Sequence, residues 1–239
     1  MVVYKFYKFT PAMKTRSQSA FTLIEMLVVI SIIAVLAAFA VPALTSALTK
    51  GQMTGTMNNG RQMYLAAQQM ALDGAANSDP NLVWPGDDAT ILTVSDFMTR
   101  LVANDYLKPG DVQKLMNGPG TNATVTYAAG PPPTVTMGGT TPALKIFKCT
   151  DANSSNVVFI ESNNYTYDTA LPTNTNPFGD KGFIVQRKGG DASILRKNNA
   201  TVALSGGNQS IFQSTVGKQL SDADGTVTAE VPGNLLAFP

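Results

Sequence analysis

The chain has 239 residues, 14% charged and 44% hydrophobic, with a net charge of +1. Its lack of histidine excludes His-based nucleophile triads and the usual metal centre, and its single cysteine, Cys149, excludes an internal disulfide. The charged fraction is well below the roughly 25% of an ordinary soluble domain. Asn, Thr, Gly and Pro fill the shortfall, which favours loops, turns and strands over long surface helices.

The amino terminus carries the strongest signal. Lys5, Lys8, Lys14 and Arg16 supply four positive charges with no acid among residues 1–20. Ser19-Ala20-Phe21-Thr22-Leu23-Ile24-Glu25 follows, and then residues 26–49 contain no charge at all. That run is long enough to cross a hydrocarbon core, which takes about 20 apolar residues at about 1.5 Å each. The basic flank predicts a cytoplasmic amino terminus and an exported remainder. A carboxylate in lipid costs on the order of 3 kcal/mol, so Glu25 calls for a partner. No cation lies nearby within the apolar run, but cutting before Phe21 would create one as the new α-amine of a neighbouring subunit. Residues 13–20 read as a complete short leader, so translation is expected to start at Met13, with residues 1–12 an assignment artefact. Removing residues 1–20 takes the net charge from +1 to −3, and such a domain lacks the electrostatic footprint of a nucleic-acid binder.

Residues 20–42 resemble the class III signal of type IV pilins and of the pseudopilins of type II secretion systems. The resemblance implies a peptidase that cuts between Ala20 and Phe21 and methylates the Phe21 amine. It also implies a role for Phe21 and Glu25 in subunit assembly. Ala20 departs from the family's usual Gly before the cut, and Pro42 matches a proline common at that distance from it. Three other readings compete. A secretory signal cut after Ala40 would fit the small residues Ala38-Phe39-Ala40, but Glu25 interrupts the start of its apolar core. An uncleaved signal anchor would leave Glu25 at the interface. A buried core helix would need a comparable partner helix, which the sequence lacks.

Pro42 removes a backbone donor and predicts a helix kink. Beyond it Leu48, Gln52, Met53, Met57, Met63, Tyr64, Ala67, Met70 and Ala71 form a helical stripe that reads as core packing. Gly51, Gly55 and Asn58-Asn59-Gly60 weaken it, each Gly costing about 1 kcal/mol against Ala. A continuous helix over 21–72 would be about 80 Å long, ended by Asp73-Gly74. Residues 75–89 form a loop around Trp84, the only tryptophan, read as a lid over the core. A short helix is expected over 93–107, with Ser95 as N-cap and Phe97, Leu101, Val102 and Leu107 on one side. Lys108-Pro109-Gly110 closes it, and 111–116 adds a further turn. Period two then predicts strands over 123–127, 134–137, 144–148, 157–160 and 182–186, with weaker candidates at 192–195, 201–204 and 226–231.

Few motifs carry chemistry. Asp222-Ala223-Asp224-Gly225 followed by Glu230 resembles a calcium loop, and some major pseudopilins bind calcium in such a place. Leu220 and Val231 stand where two essential oxygen ligands are needed, so the residues read as a solvated turn. Asp222, Asp224 and Glu230 remain calcium candidates; no other cofactor is expected. The glycines beside Lys181 and Lys188 lack a phosphate-loop pattern.

The fold class expected is α+β: a long helical spine, membrane-spanning in its first half, packed on a head with a short helix and an antiparallel sheet. Residues 1–20 form the leader, 21–48 the assembly helix, 49–73 its continuation and 74–239 the exported head. The resemblance implies a structural subunit of a type IV pilus or type II secretion pseudopilus, not an enzyme. Its partners would be the prepilin peptidase, an inner-membrane assembly platform, and like subunits or other pilins. It would first sit in the inner membrane as a single-pass protein and then enter the filament. The large head tilts the reading towards a minor or specialised subunit. The alternative is an exported binding domain tethered by an uncleaved anchor.

Overall fold

The computed structural model describes residues 21–239. The leader, the start at Met13 and Ala20 lie outside the described residues. The chain divides between Thr45 and Ser46 into two units, each described by itself.

Up to Thr45 the described chain is the first part of one helix, α1 (Leu23–Asn77), which continues through Pro42. Leu, Ile, Val and Ala occupy every face, and residues 21–48 are all exposed. This segment is long and apolar enough to cross a membrane. A helix apolar all round has no face suited to water.

From Ser46 onward α1 becomes one-sided. Met53, Thr56, Gly60, Met63, Ala67, Met70 and Gly74 are buried at intervals of three and four residues, which places them on one face. Of the expected stripe, Leu48 and Gln52 are exposed and Met57 and Ala71 half-buried. Gly60 belongs to the buried face: a Cβ there would sit 3.9 Å from both Ile160 and Leu144.

The ceiling over that face is an antiparallel sheet in the order β3-β4-β5-β6, with strands Leu144–Ile146, Val158–Ser162, Phe183–Arg187 and Ala192–Leu195. Both central strands are buried along their whole length. A separate hairpin, β1 (Thr124–Ala128) with β2 (Thr134–Gly138), packs on α2 (Val94–Ala103). Trp84 is buried, with its ring edge-on to Phe159 at 5.2 Å and tilted against Tyr64 at 6.2 Å. It packs in the core as a lid residue would.

Several boundaries differ from the sequence expectation. Gly74 does not stop α1. The chain leaves the helix at Asn77, turns at Ser78 with φ +54°, and returns so closely that a Cβ on Gly74 would lie 1.8 Å from the Leu82 carbonyl. The N-cap of α2 is Thr93, in a reciprocal capping box with Asp96. Ser95 instead accepts the Met137 amide on β2 at 3.0 Å, and Thr99 both donates to and accepts from the Val135 backbone. Those side chains satisfy a strand edge that would otherwise lack partners. Pro109, expected to close a helix, opens α3 (Pro109–Met116), where its missing N–H costs nothing.

Residues 201–204 form turns, with the Val202 amide bound to Asp168. Residues 226–231 form no strand; Gln213 of α4 (Gln209–Thr215), a helix the sequence reading missed, holds the Thr226 carbonyl at 2.9 Å. The edge of β3 is closed by a later segment: Phe147 bridges Leu235, and the Leu236 amide donates to the Ile146 carbonyl.

Two substitutions separate these glycine roles. Gly74→Ala should cost stability at the upper end of about 1–3 kcal/mol, the range for forced overpacking. Gly51→Ala, with nothing within 4 Å of the new Cβ, should stabilise by about 0.4–1 kcal/mol. Urea unfolding of the full chain in detergent, followed by Trp84 fluorescence, checks both.

Candidate functional site

Thr22 lies one residue before the first helical residue and Glu25 is the third within α1. The Thr22 amide donates to Glu25 Oε2 at 2.8 Å, and the Thr22 hydroxyl donates to the same oxygen at 2.7 Å. The Glu25 amide returns a bond to Thr22 Oγ1 at 3.3 Å. This is a capping box: two orphan amides of the helix end are satisfied reciprocally. A carboxylate is also favoured there by the positive end of the helix dipole. The sequence reading asked for a partner and looked for a cation. The helix supplies neutral donors from its own first turn, and both bonds fall on one oxygen, so Oε1 accepts none among the described residues. The signal was present as Thr-x-x-Glu ahead of an apolar run, and the sequence reading did not use Thr22.

Polar side chains farther along are tied in the same way. Ser31 donates to the Val28 carbonyl at 2.7 Å and Thr45 to the Pro42 carbonyl at 2.9 Å. In hydrocarbon such groups must be satisfied within the segment or by another helix. Pro42 offers no amide to the carbonyl four residues earlier.

Comparison with known proteins bears on this segment. Residues 15–41 match the family model described as the prokaryotic N-terminal methylation motif. Over its amino-terminal segment the chain is similar to type IV pilins. It is 34% identical over 71 residues, 30% of this chain and 46% of the relative, to the type IV major fimbrial protein FimA of Dichelobacter nodosus. A second FimA of that organism is 36% identical over 67 residues, 28% of this chain and 43% of the relative. The chain thus spans less than half the length of these curated relatives. No solved structure matches.

The fold after Asn77 does not gather the calcium candidates. Asp222 accepts from the Thr228 amide at 3.1 Å and hydroxyl at 2.5 Å, which makes it a turn residue. Asp224 pairs with Lys218, and Glu230 pairs with Lys145. No group of three metal-ligating side chains occurs among the described residues. Cys149 is buried, and burial pushes its thiol up to about 12, so it stays protonated and inert.

Glu230 instead leads to a buried cluster that no motif in the sequence announces. Lys145 on β3 lies 2.6 Å from Glu161 on β4 and 3.0 Å from both oxygens of Glu230. Glu161 is fully buried, and its carboxyl is held well above the ordinary range by burial and by Glu230, against the pull of Lys145. Burial works to lower Lys145, and the two carboxylates overcome it and raise it. The cluster ties the loop at Glu230 to the sheet. Lys145→Met would leave two carboxyls without their cation, and breaking such a pair costs about 3–5 kcal/mol. Buried Glu161, already raised, would then lose the pull of Lys145 and titrate further above its unfolded value of about 4.3, so the loss should be absent below that pH and grow as pH rises through it. Urea unfolding of the variant at pH 4 and pH 7 checks the sign.

Proposed function

We propose that this protein is a structural subunit that polymerises through α1 into a type IV pilus-type filament. The observation that carries the reading is a carboxylate at the amino-terminal end of an exposed, membrane-length helix that matches the methylation motif. In this reading a prepilin peptidase cuts between Ala20 and Phe21 and methylates the Phe21 amine. Residues 1–20 are then the leader, 21–48 the assembly helix, 49–73 its continuation and 74–239 the exported head. Before assembly the basic flank stays cytoplasmic and the head is on the far side of the inner membrane. An assembly platform then feeds the subunit into the growing filament. The head serves assembly rather than catalysis.

The chemistry of joining follows from Glu25. Within one chain its Oε2 is hydrogen-bonded to Thr22 but its charge is not neutralised. The amine of another subunit's Phe21 would supply the counter-charge, with Oε1 free to receive it. Two unit charges about 4 Å apart attract by about 4 kcal/mol at an effective dielectric near 20. That is comparable to the roughly 3 kcal/mol cost of placing the carboxylate in lipid. The apolar faces of α1 then bury one another, and Pro42 gives the packed helices a place to bend.

Mass spectrometry of the mature protein should find an N-terminal, N-methylated Phe21. An N-terminus at Val41 would replace this reading with that of a secreted protein. Glu25→Leu should still be processed and inserted, yet be missing from filaments sheared off cells. Normal assembly of that variant would show that Glu25 is only an interfacial residue with no part in joining subunits.

A further inference from the structure

Two surface features of the unit from Ser46 onward have no part in the amino-terminal site. One is a ridge on α1. Between Ser46 and Asn77 that helix carries two cations, Lys50 and Arg61, both exposed. They are eleven residues apart, about three turns, and therefore share a face. Neither side chain makes an ion pair or hydrogen bond among the described residues. The same face continues to Leu65 and Leu72, which are 55% and 62% exposed.

The other feature is a cavity of about 590 Å³ at the far end of that ridge. Leu72, Val83 and Trp84 supply apolar wall, while Asp79, Asp87 and Asp151 bring negative charge. Asp79 is engaged by Asn81, and Asp87 accepts the Asp151 amide. The Asp151 carboxylate is exposed and has no partner among the described residues. Lys188, also on the wall, is held by the carbonyls of Asp151 and Asn153 at 2.6 and 2.9 Å. One face thus begins basic, continues apolar and ends in an acidic recess.

We infer that the Arg61–Leu65 stretch of α1 docks at the Trp84 cavity of a second copy of this chain, with Arg61 paired to Asp151 of that copy. The inference rests on the filament reading and names the head contact within it. Growth without closure requires two different, complementary patches on each subunit, since a self-complementary patch stops at a dimer. The ridge and the cavity meet that requirement in charge. Leu65 and Leu72 supply the apolar area removed from water. An exposed ion pair adds little affinity, so Arg61 sets the register between copies.

Thiol cross-linking in cells tests this on the full chain, because buried Cys149 stays silent. Arg61→Cys combined with Asp151→Cys should give a ladder of multimers with a short bifunctional maleimide, while each single variant gives dimers at most. Arg61→Glu should lose sheared filaments, and Arg61→Glu with Asp151→Arg should recover them. Wild-type filaments with no ladder beyond the single variants, or with no recovery in the swap, would overturn the contact and leave the filament reading standing. A ladder in cells that yield no filament would uphold the contact and overturn the filament reading. Absence of both would overturn both.

Discussion

Hydrocarbon offers no hydrogen bonds, so every polar group at the start of α1 must find its partner within the helix or on another chain. Thr22 and Glu25 meet that demand for the helix end, and Ser31 and Thr45 meet it for themselves by bonding to the preceding turn. What remains is a single unneutralised charge on an otherwise self-sufficient rod. Such a segment is stable enough to wait in a membrane yet incomplete in one respect. On the filament reading, that incompleteness is what a second copy would relieve at this end.

The same helix then serves a second solvent. After Ser46 the all-round apolar surface gives way to one buried face. Gly60 lies on that face, where a Cβ would only reach ordinary contact distance from Ile160 and Leu144, whereas at Gly74 the backbone of the following loop crosses over the helix. Read by propensity alone these glycines weaken a helix. Read by packing, Gly74 is required where the chain turns back over α1.

That difference explains what was legible in the sequence. The apolar run, the Met stripe and all six strands follow from local pattern, because the period of hydrophobicity reports which face is buried. Gly74 as a stop and Ser95 as a cap were misread because both roles depend on segments distant in sequence, Leu82 and Met137. Helix α4 was invisible because it is polar apart from Ile211 and Phe212, and its purpose is Gln213, which threads a loop rather than filling a core. At the site, Phe21 and Glu25 were readable from a linear motif. Glu161 was not, since the strand expected from the sequence ends at 160 and a carboxylate just beyond it gives no sign that it will be buried beside Glu230 from 69 residues away.

The closure of β3 by residues 235–237 sets the order in which the head can mature. Ala237 accepts from the Val94 amide while its own amide donates to Leu92, so the same short stretch also pins the entrance to α2. In a chain made from its amino terminus, α1 and α2 exist long before that stretch arrives. Until then the outer edge of β3 is an open strand, the kind of surface that recruits foreign strands. Until residues 235–237 are in place the strand is therefore exposed to mispairing, and a partner that covers strand edges would act in that interval.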